Sequence, residues 1–247
     1  MQERRLESKY LLTEAAAKRL RERASVHLRL DPYSTGQADF SYPVHSLYLD
    51  SAALDSYWAT VRRRNDRFKL RIRFYDEATA QPAYVEIKRR VDGVTFKQRC
   101  PVPRQELTRL LNGNGVALPS EAPASLGRSE VLEDFVDRVR LLGAGPKLHV
   151  AYHREAYAST DGNSLRLTFD RQVRSEPVTI LRFSTQMLKP RPLCGKMIVV
   201  ELKSNGPLPA WINEAIQALD LQPGSFAKYV AGIDQHGLTV PFEDQHG

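Results

Sequence analysis

No run in this sequence of 247 residues approaches the roughly 18 consecutive apolar residues that a membrane-spanning helix requires. A basic stretch joined to an apolar one is missing from the N-terminal residues, so a secretory leader is not expected. Cysteine is scarce. Cys100 and Cys194 stand alone in the chain and form neither a redox nor a metal-binding motif, which makes a reducing, cytoplasmic setting the default expectation. His45, His149 and His153 lack metal-site spacing and read as structural. A P-loop, a dinucleotide fingerprint and a Ser/His/Asp arrangement are all missing. These absences exclude the common routes to nucleotide binding and nucleophilic catalysis.

What the sequence has is positive charge, arranged in a pattern. The formal net charge is +7, which favours an anionic partner. From Arg67 to Tyr75, cations alternate with apolar residues. In a strand, that puts Lys69, Arg71 and Arg73 on one face and Leu70, Ile72 and Phe74 on the other. The device recurs. Glu86, Lys88 and Arg90 share a face, as do Lys97 with Arg99, Arg166 with Thr168 and Asp170, and Glu201 with Lys203. One such strand is most simply a solvated sheet face, and an isolated Glu7/Lys9 or Glu-x-Lys pair is most simply a surface ion pair. Recurrence across the chain favours a common cationic surface for phosphate chains. Stacking aromatics spaced for single-stranded nucleic acid do not appear on these faces, so no specific nucleic-acid partner is expected.

The remaining pattern predicts an α+β chain. Residues 4–11 read as a strand and Thr13 as the cap of a following helix. A loop carries Asp31-Pro32, and residues 43–49 form the next strand. Asp50 or Ser51 caps a short helix bearing Leu54, Tyr57, Trp58 and Val61. Asp92-Gly93 marks a hairpin between the strand at 83–91 and the one that follows. Helices are expected from Pro103 to Leu111 and after Ser129. A hairpin joins residues 147–158 to 164–171 across Thr160–Asn163. A short strand is expected over 178–183, a last one over 196–203, then helices around Trp211–Leu219 and Phe226–Ile233. Roughly eight antiparallel strands with amphipathic helices outside suggest a closed barrel, since closure removes edges. Helices packed on Leu70, Ile72, Phe74, Ile87, Leu165 and Leu167 would turn the charged face inward, where a bound polyanion would relieve repulsion.

An ordered set of residues resembles the catalytic domain of vacuolar transporter chaperone (VTC-type) polyphosphate polymerases, in the triphosphate tunnel metalloenzyme superfamily. The set is Glu7-x-Lys9-Tyr10, Ser46-Leu47-Tyr48-x-Asp50, Lys69-x-Arg71-x-Arg73, Glu86-x-Lys88, Tyr152-x-Arg154, Arg166-x-Thr168-x-Asp170, Glu201-x-Lys203 and Phe226-Ala227-Lys228-Tyr229. The resemblance runs from Glu7 to about residue 233. It implies a closed eight-stranded antiparallel β-barrel, the triphosphate tunnel, with surrounding helices. It also implies a single domain over residues 1–247, with a tail at 236–247; the segment 112–128, rich in Gly, Ala, Pro and Ser, reads from composition as a surface loop or a variable insertion.

By the same resemblance, Arg71, Arg73, Lys88, Arg154, Arg166 and Lys228 are the catalytic cations. Lys9, Lys97 and Lys203 join them in binding phosphate. Glu201 matches the metal-binding glutamate for Mn2+ or Mg2+, and Glu7, Glu86 and Asp170 are further metal candidates. Two positions depart from the family pattern. Arg5 stands where the wider superfamily has a first-strand Glu, which agrees better with the VTC branch than with a generic triphosphatase. Ala227 replaces a common Ser and removes a hydroxyl contact. The implied reaction is transfer of the γ-phosphoryl group of ATP to inorganic polyphosphate. Alternatives are a triphosphatase or nucleoside triphosphatase of the same fold, or a non-catalytic polyphosphate-binding module. Family members that work in membrane complexes leave room here for membrane association through a separate partner.

Overall fold

The computed structural model describes residues 6–37, 39–112, 129–160 and 165–239. The expected turn at 161–163, most of the 112–128 loop and residues 240–247 of the tail lie outside the described residues. In chain order the elements are β1 (Leu6–Leu12), α1 (Glu14–His27), β2 (Arg29–Leu30), α2 (Pro32–Thr35), β3 (Tyr42–Asp50), α3 (Asp55–Val61), β4 (Asp66–Phe74), β5 (Ala83–Val91) and β6 (Val94–Val102). They continue with α4 (Arg104–Asn112), α5 (Glu130–Leu142), β7 (Gly145–Ala158), β8 (Leu165–Pro177), β9 (Arg191–Pro192), β10 (Ile198–Ser204), α6 (Ala210–Ala218) and α7 (Lys228–His236). The α+β class expected from the pattern is what forms.

Two compact units divide the chain. The first comprises Met1–Val44, Ala151–Arg174 and Pro192–Ala227, and the second His45–Val150, Ser175–Arg191 and Lys228–Gly247. In the first, β1, β10 and β8 pair antiparallel, and α1 covers their apolar face. Thr13 caps α1 by accepting from the Ala16 amide at 3.3 Å. Ala17, Leu20 and Ala24 then fall on one helix face and pack with Leu165, Leu167, Phe169, Val200 and Leu202, while α6 adds Ile212 and Ala215. In the second unit, β3, β4, β5 and β6 are consecutive antiparallel neighbours. Leu70, Ile72, Phe74, Val85 and Ile87 form a core with Leu107 of α4 and Leu132, Phe135, Val136 and Val139 of α5. Burying each of these side chains contributes roughly 1.5–3 kcal/mol. This burial commits one face of every strand to the helices and leaves the charged face on the other side.

The closed barrel is not formed. Among the described residues the hydrogen-bonded order is β1-β10-β8-β7-β3-β4-β5-β6, with β2 on β7 and β9 on β8, making an antiparallel sheet of ten strands whose end strands are not paired to each other. The chain manages these edges by means other than closure. β6 is exposed over most of its length, carries Lys97 and Arg99, and contains Pro101, which has no backbone N–H to offer a further strand. β1 is met by an isolated bridge in which the Gly224 amide donates to the Lys9 carbonyl at 2.8 Å.

Three local expectations also change. Asp31-Pro32 opens a short helix, with Asp31 Oδ1 accepting from the Tyr33 amide at 3.0 Å. Residues 178–183 form no strand; Leu181 is buried, and Val178 and Phe183 pack against the second core as loop side chains. Ser129 occupies the N-cap of α5 but makes no capping hydrogen bond.

Candidate functional site

The second unit gathers cations around one carboxylate. Register puts Glu86 of β5 between Arg71 of β4 and Arg99 of β6. Arg71 Nε donates to Glu86 Oε2 at 2.6 Å, and its Nη2 is paired with the same oxygen. Lys97 Nζ at 3.2 Å, Arg99 Nε at 3.6 Å and Arg73 Nη1 at 3.8 Å surround Oε1. Glu86 is only 1% exposed. Burial alone would raise its pKa, but Arg71, Arg73 and Lys97 outweigh it and hold the carboxyl well below the usual range. Burial pushes the Lys97 ammonium down to about 7, helped by repulsion from Arg71 and Arg73 and opposed by Glu86. Four cations sharing one anion leave a strongly positive surface.

Two tyrosines connect this cluster to the last helix. Tyr48 Oη accepts from Arg71 Nη1 at 3.3 Å, and its ring stacks on Tyr229 with centroids 5.0 Å apart. Burial opposes ionisation of Tyr48, yet Arg71, Arg73 and Lys228 bring its pKa below the ordinary tyrosine value. Tyr229 Oη donates to Asp50 Oδ2 at 2.7 Å. Asp50 also accepts from the Ser56 and Tyr57 amides, so one carboxylate both caps α3 and anchors the helix that begins with Lys228.

The first unit holds a second, more balanced cluster. On β1 and β10, Lys9 lies 3.2 Å from Glu7 Oε1 and 3.6 Å from Glu201 Oε1, and Lys203 Nζ is 3.0 Å from Glu201 Oε2. Desolvation works against the Glu201 anion. Lys203, a side-chain hydrogen bond with Glu7, Lys9 and Arg154 overcome it and hold its pKa well below the usual range. Arg154 forms a two-pronged pair with Asp170, Nε to Oδ1 at 2.7 Å and Nη2 to Oδ2 at 2.8 Å. Arg166 Nη2 meets Asp31 Oδ2 at 2.9 Å. Thr168 stands opposite Glu201 in the β8–β10 register, and its buried Oγ1 has no hydrogen-bond partner among the described residues.

These contacts test how well the carboxylates suit a divalent cation. Among the described residues, no three His, Cys, Asp or Glu side chains group as a metal site. Mg2+ and Mn2+ are commonly held by one or two carboxylates, with phosphate and water oxygens completing the shell. Glu201 and Glu7, which share Lys9 on β10 and β1, with the buried Thr168 hydroxyl opposite Glu201, offer two carboxylates of that kind. Both oxygens of Asp170 are taken by Arg154, and Glu86 is enclosed by four cations.

The structure therefore brings Arg71, Arg73 and Lys97 together at Glu86, with Lys228 near Tyr48, and Lys9 and Lys203 together at Glu201. Lys88 stands in register with Lys69 and Lys97, one position along from Glu86 on the same face. Sequence reasoning left Arg99 out of the site, although its alternation with Lys97 marked the face. It also missed Asp31 as the partner of Arg166 and Asp50 as the anchor of α7, because those contacts join distant parts of the chain.

The described residues form an antiparallel sheet with cations clustered around buried carboxylates. Residues 4–236 match the family model of the VTC domain, and the chain belongs to that family. No curated protein sequence matches it. Among solved structures, a Bacillus halodurans protein provisionally assigned as an adenylate cyclase is similar. It has 13% identity and a TM-score of 0.52, covering 92% of this chain and 96% of that one. A Pyrococcus horikoshii protein aligns with 12% identity and a TM-score of 0.40, over 87% of this chain and 86% of that one. The Bacillus likeness is one of fold. Family membership supports a polyphosphate-related phosphoryl-transfer enzyme of the tunnel fold, with nucleotide and polyphosphate binding as general properties. Among the described residues, no helix is long and apolar enough to cross a membrane.

Proposed function

We propose that this protein is a metal-dependent polyphosphate polymerase that transfers the γ-phosphoryl group of ATP to a growing polyphosphate chain. The VTC-domain match over residues 4–236 is the observation that carries this reading. The arrangement of charge supports it. The attacking group is a phosphate oxygen, so the chemistry calls for positioning and charge neutralisation more than for a dedicated base. Arg71, Arg73, Lys88, Lys97 and Lys228 would bind and orient phosphates in the second unit. Lys9, Arg154, Arg166 and Lys203 would do so in the first. Glu201 and Glu7 would hold Mn2+ or Mg2+, which when bound neutralises charge on phosphate oxygens.

Purified protein incubated with ATP and Mn2+, with polyphosphate and free phosphate assayed separately, tests the proposal. Polymer that accumulates with metal and not without it is the expected result. Free phosphate without polymer would instead assign a triphosphatase. Binding without turnover would leave a polyphosphate-binding module.

A further inference from the structure

The cationic face of the second unit continues past Glu86. Lys69, Lys88 and Lys97 stand in register on β4, β5 and β6, and beyond them Arg67 stands opposite Arg90. Successive same-face positions are about 6.6–6.8 Å apart. Like charges directly opposite each other on paired strands are unfavourable, and here two such pairings follow in sequence. Partial burial, then repulsion from Arg90 and Arg63, pushes the Arg67 guanidinium below its ordinary value. Past Arg67, the turn between α3 and β4 exposes Arg62, Arg63 and Arg64. Arg62 lies 5.1 Å over the Trp58 ring, Arg67 Nη1 donates to the Arg64 carbonyl, and Arg63 takes a left-handed backbone with φ 53°.

These arginines have no carboxylate partner among the described residues. Asp66, the adjacent acid, points to the opposite strand face and is bonded to Arg89 Nε at 2.9 Å. The negative C-terminal end of α3 accounts for a cation at Arg62. It does not account for Arg67 and Arg90, which lie on strands. A positive strip leading off the Glu86 cluster suits a linear ligand carrying regularly repeated negative charge. Arg67, Lys69, Lys88 and Arg90 include no aromatic side chain for stacking bases, and the exposed Val94 and Phe96 point to the other face of β6.

We infer that Arg62, Arg63, Arg64, Arg67 and Arg90 form a second anion-binding surface, which holds the outlying phosphates of an inorganic polyphosphate chain engaged at the Glu86 cluster. This rests on the polyphosphate reading above and adds a determinant of chain length to it.

The test compares the wild-type chain with an Arg62→Ser/Arg64→Ser/Arg90→Ser variant for binding of tripolyphosphate and of long-chain polyphosphate at fixed salt. Affinity for the long chain should fall on the order of tenfold, and affinity for tripolyphosphate should hold within about twofold. Arg90→Ser alone should give a smaller loss in the same direction. The salt dependence of long-chain binding should weaken in the triple variant, since fewer counterions are released. Unchanged long-chain affinity would overturn the inference, as would an equal loss for both ligands. Loss of binding to phosphatidylserine vesicles with long-chain affinity intact would assign the surface to an anionic membrane instead. A wild-type protein that binds neither phosphate ligand would bring down the proposed function itself, an outcome distinct from failure of the arginine surface alone.

Discussion

Glu86 lets four cations share a crowded strand face. Replacing it with Gln keeps the side-chain volume and removes the anion that Arg71, Arg73, Lys97 and Arg99 share. Removing one partner of a buried pair costs about 3–5 kcal/mol, and the exposure of Lys97 and Arg99 reduces that here. We expect Glu86→Gln to melt below wild type and to recover more of its stability than wild type does when tripolyphosphate is added. Equal melting temperatures without ligand would show that the cations do not depend on Glu86. Arg154 poses the opposite case. It is the partner of fully buried Asp170, so Arg154→Ala should cost about 3–5 kcal/mol in denaturant unfolding, in addition to any loss of activity.

Lys97 gives the site a pH dependence. Its folded pKa, about 7, lies below the ordinary lysine value of 10.5. Between those values the unfolded chain binds more protons than the folded one, so the stability penalty of the crowded ammonium disappears as pH rises through this window. Phosphate binding follows the reverse trend, because a bound polyanion keeps the proton on. Tripolyphosphate affinity of wild type should therefore exceed that of Lys97→Gln at pH 6, and this advantage should shrink as pH rises past the higher pKa that Lys97 has in the complex. An affinity ratio that stays constant with pH would rule out titration of Lys97. The charged alternation made these residues legible in the sequence, because a period of two assigns each side chain to a face. It could not reveal that Arg154 pairs with Asp170 or that Arg166 pairs with Asp31, since those pairings depend on where distant strands and a helix cap are placed.

Among the elements, α7 shows what lies beyond periodicity. Its amphipathic pattern is readable, but its position is set by two tyrosine–aspartate bonds: Tyr229 to Asp50 at 2.7 Å and Tyr57 to Asp234 at 2.5 Å. It also needs Gly232, where an added Cβ would overlap Leu148 Cδ2 and crowd Ser175 Oγ at 3.2 Å. Helix propensity alone would favour Gly232→Ala by up to about 1 kcal/mol. Leu148 is fully buried and has little room to move, so overpacking of about 1–3 kcal/mol should win. The variant should lose stability and show faster amide exchange along Lys228–His236; a more stable variant would mean that Leu148 yields easily. The loop at 178–183 failed as a strand prediction for a related reason. Val178, Leu181 and Phe183 are apolar because they plug a core, and apolar spacing over so short a run does not distinguish a plug from a strand.

For the whole molecule, closure was the feature least visible in the sequence. Strand number and alternation suit a barrel and an open sheet equally. Pro101 on a charged edge strand and the Lys9–Gly224 bridge are the local signs that edges are managed without closure, and they gain meaning only once the strand order is known. A net charge of +7, with cations facing one another in register, sets a global expectation for salt. In the free protein, added salt screens self-repulsion over a Debye length of about 8 Å at physiological ionic strength, so the melting temperature should rise as KCl is added. In the presence of tripolyphosphate the same salt weakens the ligand's attraction. At a free concentration about 100 times its dissociation constant, a ligand adds about 2.7 kcal/mol of stability, and this increment should shrink as the constant rises with salt. Thermal melts across a KCl series, with and without tripolyphosphate, should therefore converge: the free curve climbs and the gap between the curves narrows. A free protein whose melting temperature falls with KCl would show that its ion pairs stabilise it more than its excess positive charge strains it.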